Sequence, residues 1–429
     1  MSSPIRPVSA PAPPRGRLGR VVSAASPRDP EGLRARYDAI LAEVTPPFAF
    51  VDLEALRANA GLMLGQAAGL PIRVASKSVR SLPVLRRIFA LDPRFRGILS
   101  FTLSEALVLA DEGFDEIFVG YPTTDAPALE DLAAHAAKLP DAHPALIVDD
   151  PAQLDLIEAA ARPLGTAIRV AIDIDPSWWP AGGRLARIGP KRSPIRTAEQ
   201  ARGLAEEIER RPGVRLIGAM AYEGHIAGVG DDLPGRPLHS AAIRFMQRRS
   251  EAELARRLPE VIAAIRAVAD LEWVNCGGTG SLARSARLGV ATELTAGSGF
   301  YAPALFDTYR SLALTPAAIF CLPVTRRPQP GTATALGGGY VASGAPGADR
   351  LPTPYLPPGM RLDRDEGAGE VQTPLSGPGA AGLAVGDRVY LRHAKAGELC
   401  ERFDSLYLVD GDAIVDEAPT YRGAGHAFL

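Results

Sequence analysis

A chain of 429 residues is long enough for one large domain and a smaller one, and 46% hydrophobic with 22% charged residues is the composition of an ordinary globular protein. A formal charge of −2 gives no global attraction to nucleic acid or to an anionic membrane, and no apolar run reaches the roughly 20 residues that span a bilayer. Cys276, Cys321 and Cys400 are too few and too scattered for a disulfide framework, which points to a reducing, cytoplasmic setting.

Residues 1–30 are rich in Pro, Ala, Ser and Arg with little to bury, and read as a disordered leader. From Pro47 a strand-then-helix rhythm sets in. The compact run from Phe48 to Asp52 precedes a helical pattern over residues 53–69, in which Leu56, Ala60 and Leu64 recur every four residues. Strand patterns follow at residues 72–75, 98–101, 116–119, 145–148, 167–174, 214–220, 272–275 and 293–296. Amphipathic helices separate most of them, as at residues 152–164 and 197–210 and within 240–270. This alternation predicts an α/β fold, a closed parallel (β/α)8 TIM-like barrel over residues 31–310, with a doubly wound sheet as the alternative. After Thr308 the helical rhythm fades. Apolar β-like pieces at 317–324, 388–391 and 405–409 lie among Gly- and Pro-rich loops, which predicts a smaller C-terminal β-rich domain over residues 311–429.

Within this frame Ser76-Lys77-Ser78 stands where a short β-branched run ends and a helical pattern begins, the strand end at which barrel enzymes keep their chemistry. Of 47 basic residues only Lys77, Lys138, Lys191 and Lys395 are lysines. Arginine stays charged, whereas a desolvated lysine loses its proton and attacks a carbonyl to form a Schiff base. The ordinary alternative is a strand-end lysine with no chemistry.

Two later strands end in glycines. Cys276-Gly277-Gly278-Thr279-Gly280-Ser281 brings bare backbone N–H groups and hydroxyls to one point, as a phosphate requires, and Gly297-Ser298-Gly299-Phe300-Tyr301 repeats the pattern one strand later. An amine at an early strand end and an anion cradle at the last two, sharing one mouth, meet the needs of pyridoxal 5'-phosphate. Between them, an arginine of the run Gly183-Arg184-Leu185-Ala186-Arg187-Ile188-Gly189 is placed to face the ring nitrogen of such a cofactor. A solvated basic loop is the alternative.

Val51 to Asn59, Ser76-Lys77-Ser78, Arg187-Ile188-Gly189, Gly277-Gly278-Thr279 and Gly297 to Tyr301 together resemble the pyridoxal-phosphate enzymes of the alanine racemase-like fold. Tyr222-Glu223-Gly224-His225 and the C-terminal domain resemble their D-threonine aldolase and D-serine dehydratase branch. The resemblance implies Lys77 as the Schiff-base lysine, Arg187 as the ring-nitrogen partner, and Tyr222, Gly278, Thr279, Gly280, Ser298, Gly299 and Tyr301 as cofactor contacts. It also implies a homodimer and a lyase acting on a small β-hydroxy amino acid of D-configuration. His225, at the end of the strand over 214–220, is the candidate general base. In that branch a His-X-Cys or His-X-Asp element of the C-terminal domain holds a divalent metal. Here His393 has Lys395 two residues on, and Cys400 lies further along. Two readings stay open: His393 and Cys400 meet across a turn around Zn, Mn or Mg, or Lys395 supplies the positive charge instead. An amino acid racemase is the nearer rival, although no tyrosine stands in a recognisable racemase context. A non-catalytic carrier of the cofactor is the more distant one, and the additional β-rich domain argues against it.

Overall fold

The computed structural model describes residues 29–429, so the leader expected over residues 1–30 lies outside the described residues except for its last two. Short apolar runs form the first nine strands: β1 (Phe48–Asp52), β2 (Ile72–Ala75), β3 (Phe95–Ser100), β4 (Ile117–Val119), β5 (Ala145–Val148), β6 (Ile168–Asp173), β7 (Val214–Ala221), β8 (Trp273–Cys276) and β9 (Glu293–Ala296). Strands β2 to β9 close into a barrel, parallel and in chain order, with Ile72 of β2 opposite Leu294 of β9. Every residue of β2, β4, β5, β8 and β9 is buried, as a parallel sheet with helices outside and side chains inside demands. Phe118, Ala145, Ile147, Ala171, Ile217, Met220 and Trp273 form one layer of the interior filling. Side-chain caps start the helices where the sequence turns polar: Asp52, Thr102, Asp125, Asp150 and Thr197 each accept from a first-turn N–H.

All eight barrel strands correspond to the runs read from the sequence, but β1 corrects the expected boundary at residue 31. It pairs antiparallel with β10 (Ala318–Gln329) and parallel with β16 (Ser405–Asp410), inside the second sheet. Phe48 and Phe50 pack there with Tyr37, Leu356, Tyr390 and Val409, and this aromatic cluster draws β1 away from the barrel. The rest of the sheet comprises β11 (Thr332–Leu336), β12 (Thr353–Leu356), β13 (Arg361–Leu362), β14 (Gln372–Ser376), β15 (Arg388–Arg392) and β17 (Ala413–Pro419). Its main path runs β13-β14-β11-β10-β1-β16-β17, with β15 pairing β10 and β12 pairing β15.

This sheet is tied to the rim of the barrel where Lys77 sits. After β15, the carbonyls of His393 and Ala394 accept from Ala304 N and Leu305 N at 3.0 and 3.1 Å, the Cys400 thiol meets the Val79 carbonyl at 3.3 Å, and Tyr421 N donates to Arg80 O at 2.9 Å. Among the described residues no helix is long and apolar enough to cross a membrane.

Candidate active site

Lys77 leaves the barrel in a single 3₁₀ turn, Ser76–Ser78, that directly continues β2. The Ser76 hydroxyl donates to Leu99 O at 3.1 Å, which fixes the turn, while Lys77 itself is exposed. Its Nζ donates to the Tyr121 hydroxyl at 2.8 Å. The Arg192 guanidinium lies over the Tyr121 ring at 5.6 Å and over the Tyr222 ring at 5.3 Å. A Cβ on Gly278 would stand 3.0 Å from both the Tyr222 ring and the Ala227 methyl, so glycine lets the loop after β8 approach the ring without displacing it. The Thr279 hydroxyl accepts from Gly299 N at 3.2 Å and lies 3.4 Å from the Ser298 hydroxyl, which joins that loop to the one after β9. A Cβ on Gly297 would in turn stand 2.6 Å from Ala75 O, two residues before Lys77. The contacts therefore run in a closed circuit around one mouth: Lys77, Tyr121, Arg192, Tyr222, the 278–279 loop, the 297–299 loop, and back to the end of β2.

The cradle is braced from behind by Glu223. Its buried carboxylate accepts from Gly277 N at 3.2 Å, from the Ser281 hydroxyl at 2.8 Å and from the Ser285 hydroxyl. Burial pushes this carboxyl up, and the three donors oppose that. Gly278 N donates to the Ser281 hydroxyl at 3.0 Å and closes the loop on itself. The exposed amine and a cradle that side chains would fill are what pyridoxal phosphate needs, so the residues present fit that cofactor.

Three expected residues are placed elsewhere. Arg187 is exposed and stacks 4.2 Å from the Trp179 ring; the same loop turns Arg192 toward the mouth instead. Tyr301 is fully buried and donates to Val79 O at 2.9 Å, so it supports the Lys77 turn rather than facing an anion. His225 is buried with Nε2 2.6 Å from the Ser250 hydroxyl, and burial lowers it to about 4. Such a ring is neutral at pH 7 and held against the helix Pro237–Arg266, the wrong setting for a base in the mouth. His225→Gln is accordingly expected to keep kcat within about threefold of the parent in a turnover assay, whereas removing a true general base costs roughly 10²-fold or more.

The structure adds groups that the sequence did not single out: Tyr121, Arg192 and the carboxyls of Asp149 and Asp173. Asp173, at the end of β6, is raised to about 8 by burial first and then by Asp149, against the pull of Arg192. It is therefore largely protonated at neutral pH. A carboxyl whose pKa is raised on folding contributes stability that is complete below about pH 4 and is lost as pH climbs through about 8. Asp173→Asn is expected to flatten that decline, leaving Tm near the parent's at pH 5 and a few degrees above it at pH 8, as read by thermal unfolding across pH.

The divalent metal implied by the resemblance does not fit the residues present. Cys400 is engaged with Val79 O and Tyr301, and burial holds its thiol up at about 12. Both His393 ring nitrogens are buried without a side-chain partner, but the ring is beside Arg392, and the residue two positions on is Lys395, not a metal ligand. Burial and the Arg350 charge lower the Lys395 pKa. Among the described residues no group of three or more His, Cys, Asp or Glu side chains is arranged to hold a metal ion.

The chain is similar to known proteins. The family profile of the alanine racemase N-terminal domain matches residues 51–301. The chain is 26% identical over 265 residues to a D-threonine aldolase of an Arthrobacter species, covering 60% of this chain and 61% of that one. It is also 26% identical over 259 residues to a 3-hydroxy-D-aspartate aldolase of Paracoccus denitrificans, covering 60% of each. The chain thus spans about three fifths of the length of the curated relatives it matches. The solved D-threonine aldolase of Filomicrobium marinum shares the fold, with a TM-score of 0.74 at 23% identity over 89% of this chain and 96% of that one.

Proposed function

The chain belongs to the alanine racemase N-terminal-domain family, and from that premise we propose that it is a pyridoxal-phosphate-dependent lyase acting on β-hydroxy D-amino acids. The observation that carries the reading is the closed circuit of contacts in which Lys77 and the two glycine-bearing loops share one mouth. The aldolase names of the curated relatives support the substrate class.

When bound, the cofactor supplies an electron sink for the carbanion left at Cα by Cα–Cβ cleavage or by loss of a proton. Lys77 is the amine that holds it, exposed to an incoming substrate and oriented by the Tyr121 hydroxyl. The backbone N–H groups of Thr279, Gly280 and Ser298, with the hydroxyls of Thr279 and Ser298, would hold its phosphate, in a cradle closed by the Gly278–Ser281 and Gly299–Thr279 bonds. Arg192, whose guanidinium lies over the Tyr222 ring at the mouth, would be the cation available to the cofactor ring in place of Arg187, and an arginine beside a ring nitrogen would keep it unprotonated. With substrate bound, the Lys77 amine would be the group positioned to move a proton at Cα. A reducing cytosol agrees with three buried, unpaired cysteines, and a homodimer follows the resemblance.

The test is to incubate the purified protein with D-threonine, D-serine and 3-hydroxy-D-aspartate and to measure glycine, pyruvate, oxaloacetate and the L-enantiomers. Glycine from an aldol cleavage, or a keto acid from dehydration, is the expected product. Accumulation of L-enantiomer alone identifies a racemase, and full cofactor occupancy without turnover of any substrate identifies a carrier.

A further inference from the structure

Where the resemblance calls for a second metal ligand, two residues after His393, this chain carries one of its four lysines. The segment that bears it is pressed against the Lys77 turn. Gly397 packs so closely on the Lys77 carbonyl that a Cβ there would collide with it, and the same carbonyl accepts from Arg80 Nε at 3.0 Å. Upstream, the backbone at 393 and 394 is held by Ala304 and Leu305, so the position of residue 395 is fixed at both ends. Lys395 is half-buried, with its Nζ 3.4 Å from Ser343 O, on the segment that packs against the Lys77 turn through Gly397.

The surrounding charges are wrong for a dication. Lys395 brings a positive charge to this loop, and the carboxylate of Asp307 nearby is already taken by Arg392 at 2.7 Å. Of the nearby carboxylates, Glu398 accepts from Ser343 N at 3.1 Å and from its hydroxyl at 2.7 Å through one oxygen, and Asp349 is paired with Arg350 at 2.7 Å. A metal placed beside an ammonium meets repulsion that a single free carboxylate oxygen and a neutral imidazole do not offset. An ammonium, in contrast, brings three hydrogen-bond donors and one positive charge to the same place.

We propose that this enzyme works without a divalent metal, and that the Lys395 ammonium takes the metal's place by hydrogen-bonding the β-oxygen of the substrate. The proposal rests on the lyase reading for its substrate but not for its metal content. The substrate class follows from the donor: a β-hydroxyl whose oxygen carries negative charge once deprotonated ahead of Cα–Cβ cleavage, or gains it as the Cβ–O bond breaks, is what a fixed ammonium stabilises.

The experiment has three parts, all on the cofactor-loaded protein. Elemental analysis of the purified enzyme is expected to find well below one Zn, Mn or Mg per chain, and kcat/KM is expected to stay within about twofold after dialysis against EDTA or addition of Mn²⁺. Lys395→Met is expected to keep the bound cofactor's visible absorbance while lowering kcat about 10²-fold. Lys395→Cys, which rebuilds a His-X-Cys element, is expected to acquire about one Zn²⁺ or Mn²⁺ per chain by elemental analysis and to lose it to EDTA. Stoichiometric metal in the parent, with activity lost on chelation and restored by metal, overturns the proposal, as does a Lys395→Met enzyme with full kcat. If none of the β-hydroxy D-amino acids reacts, the lyase reading fails; the metal counts of the parent and of Lys395→Cys still decide whether position 395 excludes a metal.

Discussion

Lys77→Ala is expected to lower kcat by about 10⁴-fold or more and to remove the visible absorbance that a covalently held cofactor gives. The size of the effect follows from the absence of a substitute on the same strand end: Ser76 is spent on Leu99 O, Ser78 is buried, and neither is an amine. Lys77→Arg is expected to be equally inactive, because it restores the charge beside Tyr121 but not a nitrogen that can lose its proton. The phosphate loops are untouched by either change, since the bonds that shape them run to Glu223, Ser281 and Thr279. Both variants should therefore still bind the cofactor, more weakly and reversibly, by equilibrium dialysis. Reduction with borohydride followed by peptide mapping gives the decisive reading. A chromophore in Lys77→Ala that borohydride fixes to the chain places the anchor on another amine, and peptide mapping distinguishes Lys395 from Lys191.

The parts of this site that could be read from the sequence are those whose signals are local. A buried parallel strand must be a short apolar run, so the eight barrel strands announced themselves. Lys77 and the two glycine-rich loops stand directly at strand ends, and their placement needed no knowledge of distant partners. What failed was direction. The run Phe48 to Asp52 looks like any barrel strand; its place in the other sheet is set by Cys321 and Tyr407, hundreds of residues away. A loop carrying Arg184, Arg187, Lys191 and Arg192 has no period that says which cation faces inward, and the Trp179 ring captured Arg187. Past β7, three nearby residues diverge: Tyr222 lines the mouth, Glu223 braces the cradle and His225 turns to Ser250. Histidine attracts a catalytic reading by its chemistry, yet the neighbouring glutamate makes the bonds on which the site depends.

For that reason Glu223→Ala is expected to have the largest effect on stability and cofactor affinity together. Removing the carboxylate strands Gly277 N and the hydroxyls of Ser281 and Ser285 in a buried place and leaves a void behind the loop. Leaving a buried donor unsatisfied typically costs about 1–3 kcal/mol, and the loss over these three donors is expected to lower Tm by several degrees. The phosphate loop would lose its anchor at the same time, so cofactor affinity is expected to fall at least about tenfold in a fluorescence titration. Glu223→Gln separates the two contributions. Its amide oxygen still accepts from a serine, but its NH₂ meets donors where the second oxygen accepted, so an intermediate loss of Tm is expected. Should Glu223→Ala unfold at the parent's temperature and bind the cofactor as tightly, the cradle is held by its own backbone turn and Glu223 is incidental. The opposite result shows that a buried carboxylate, outside the reach of any substrate, sets the geometry of the anion site.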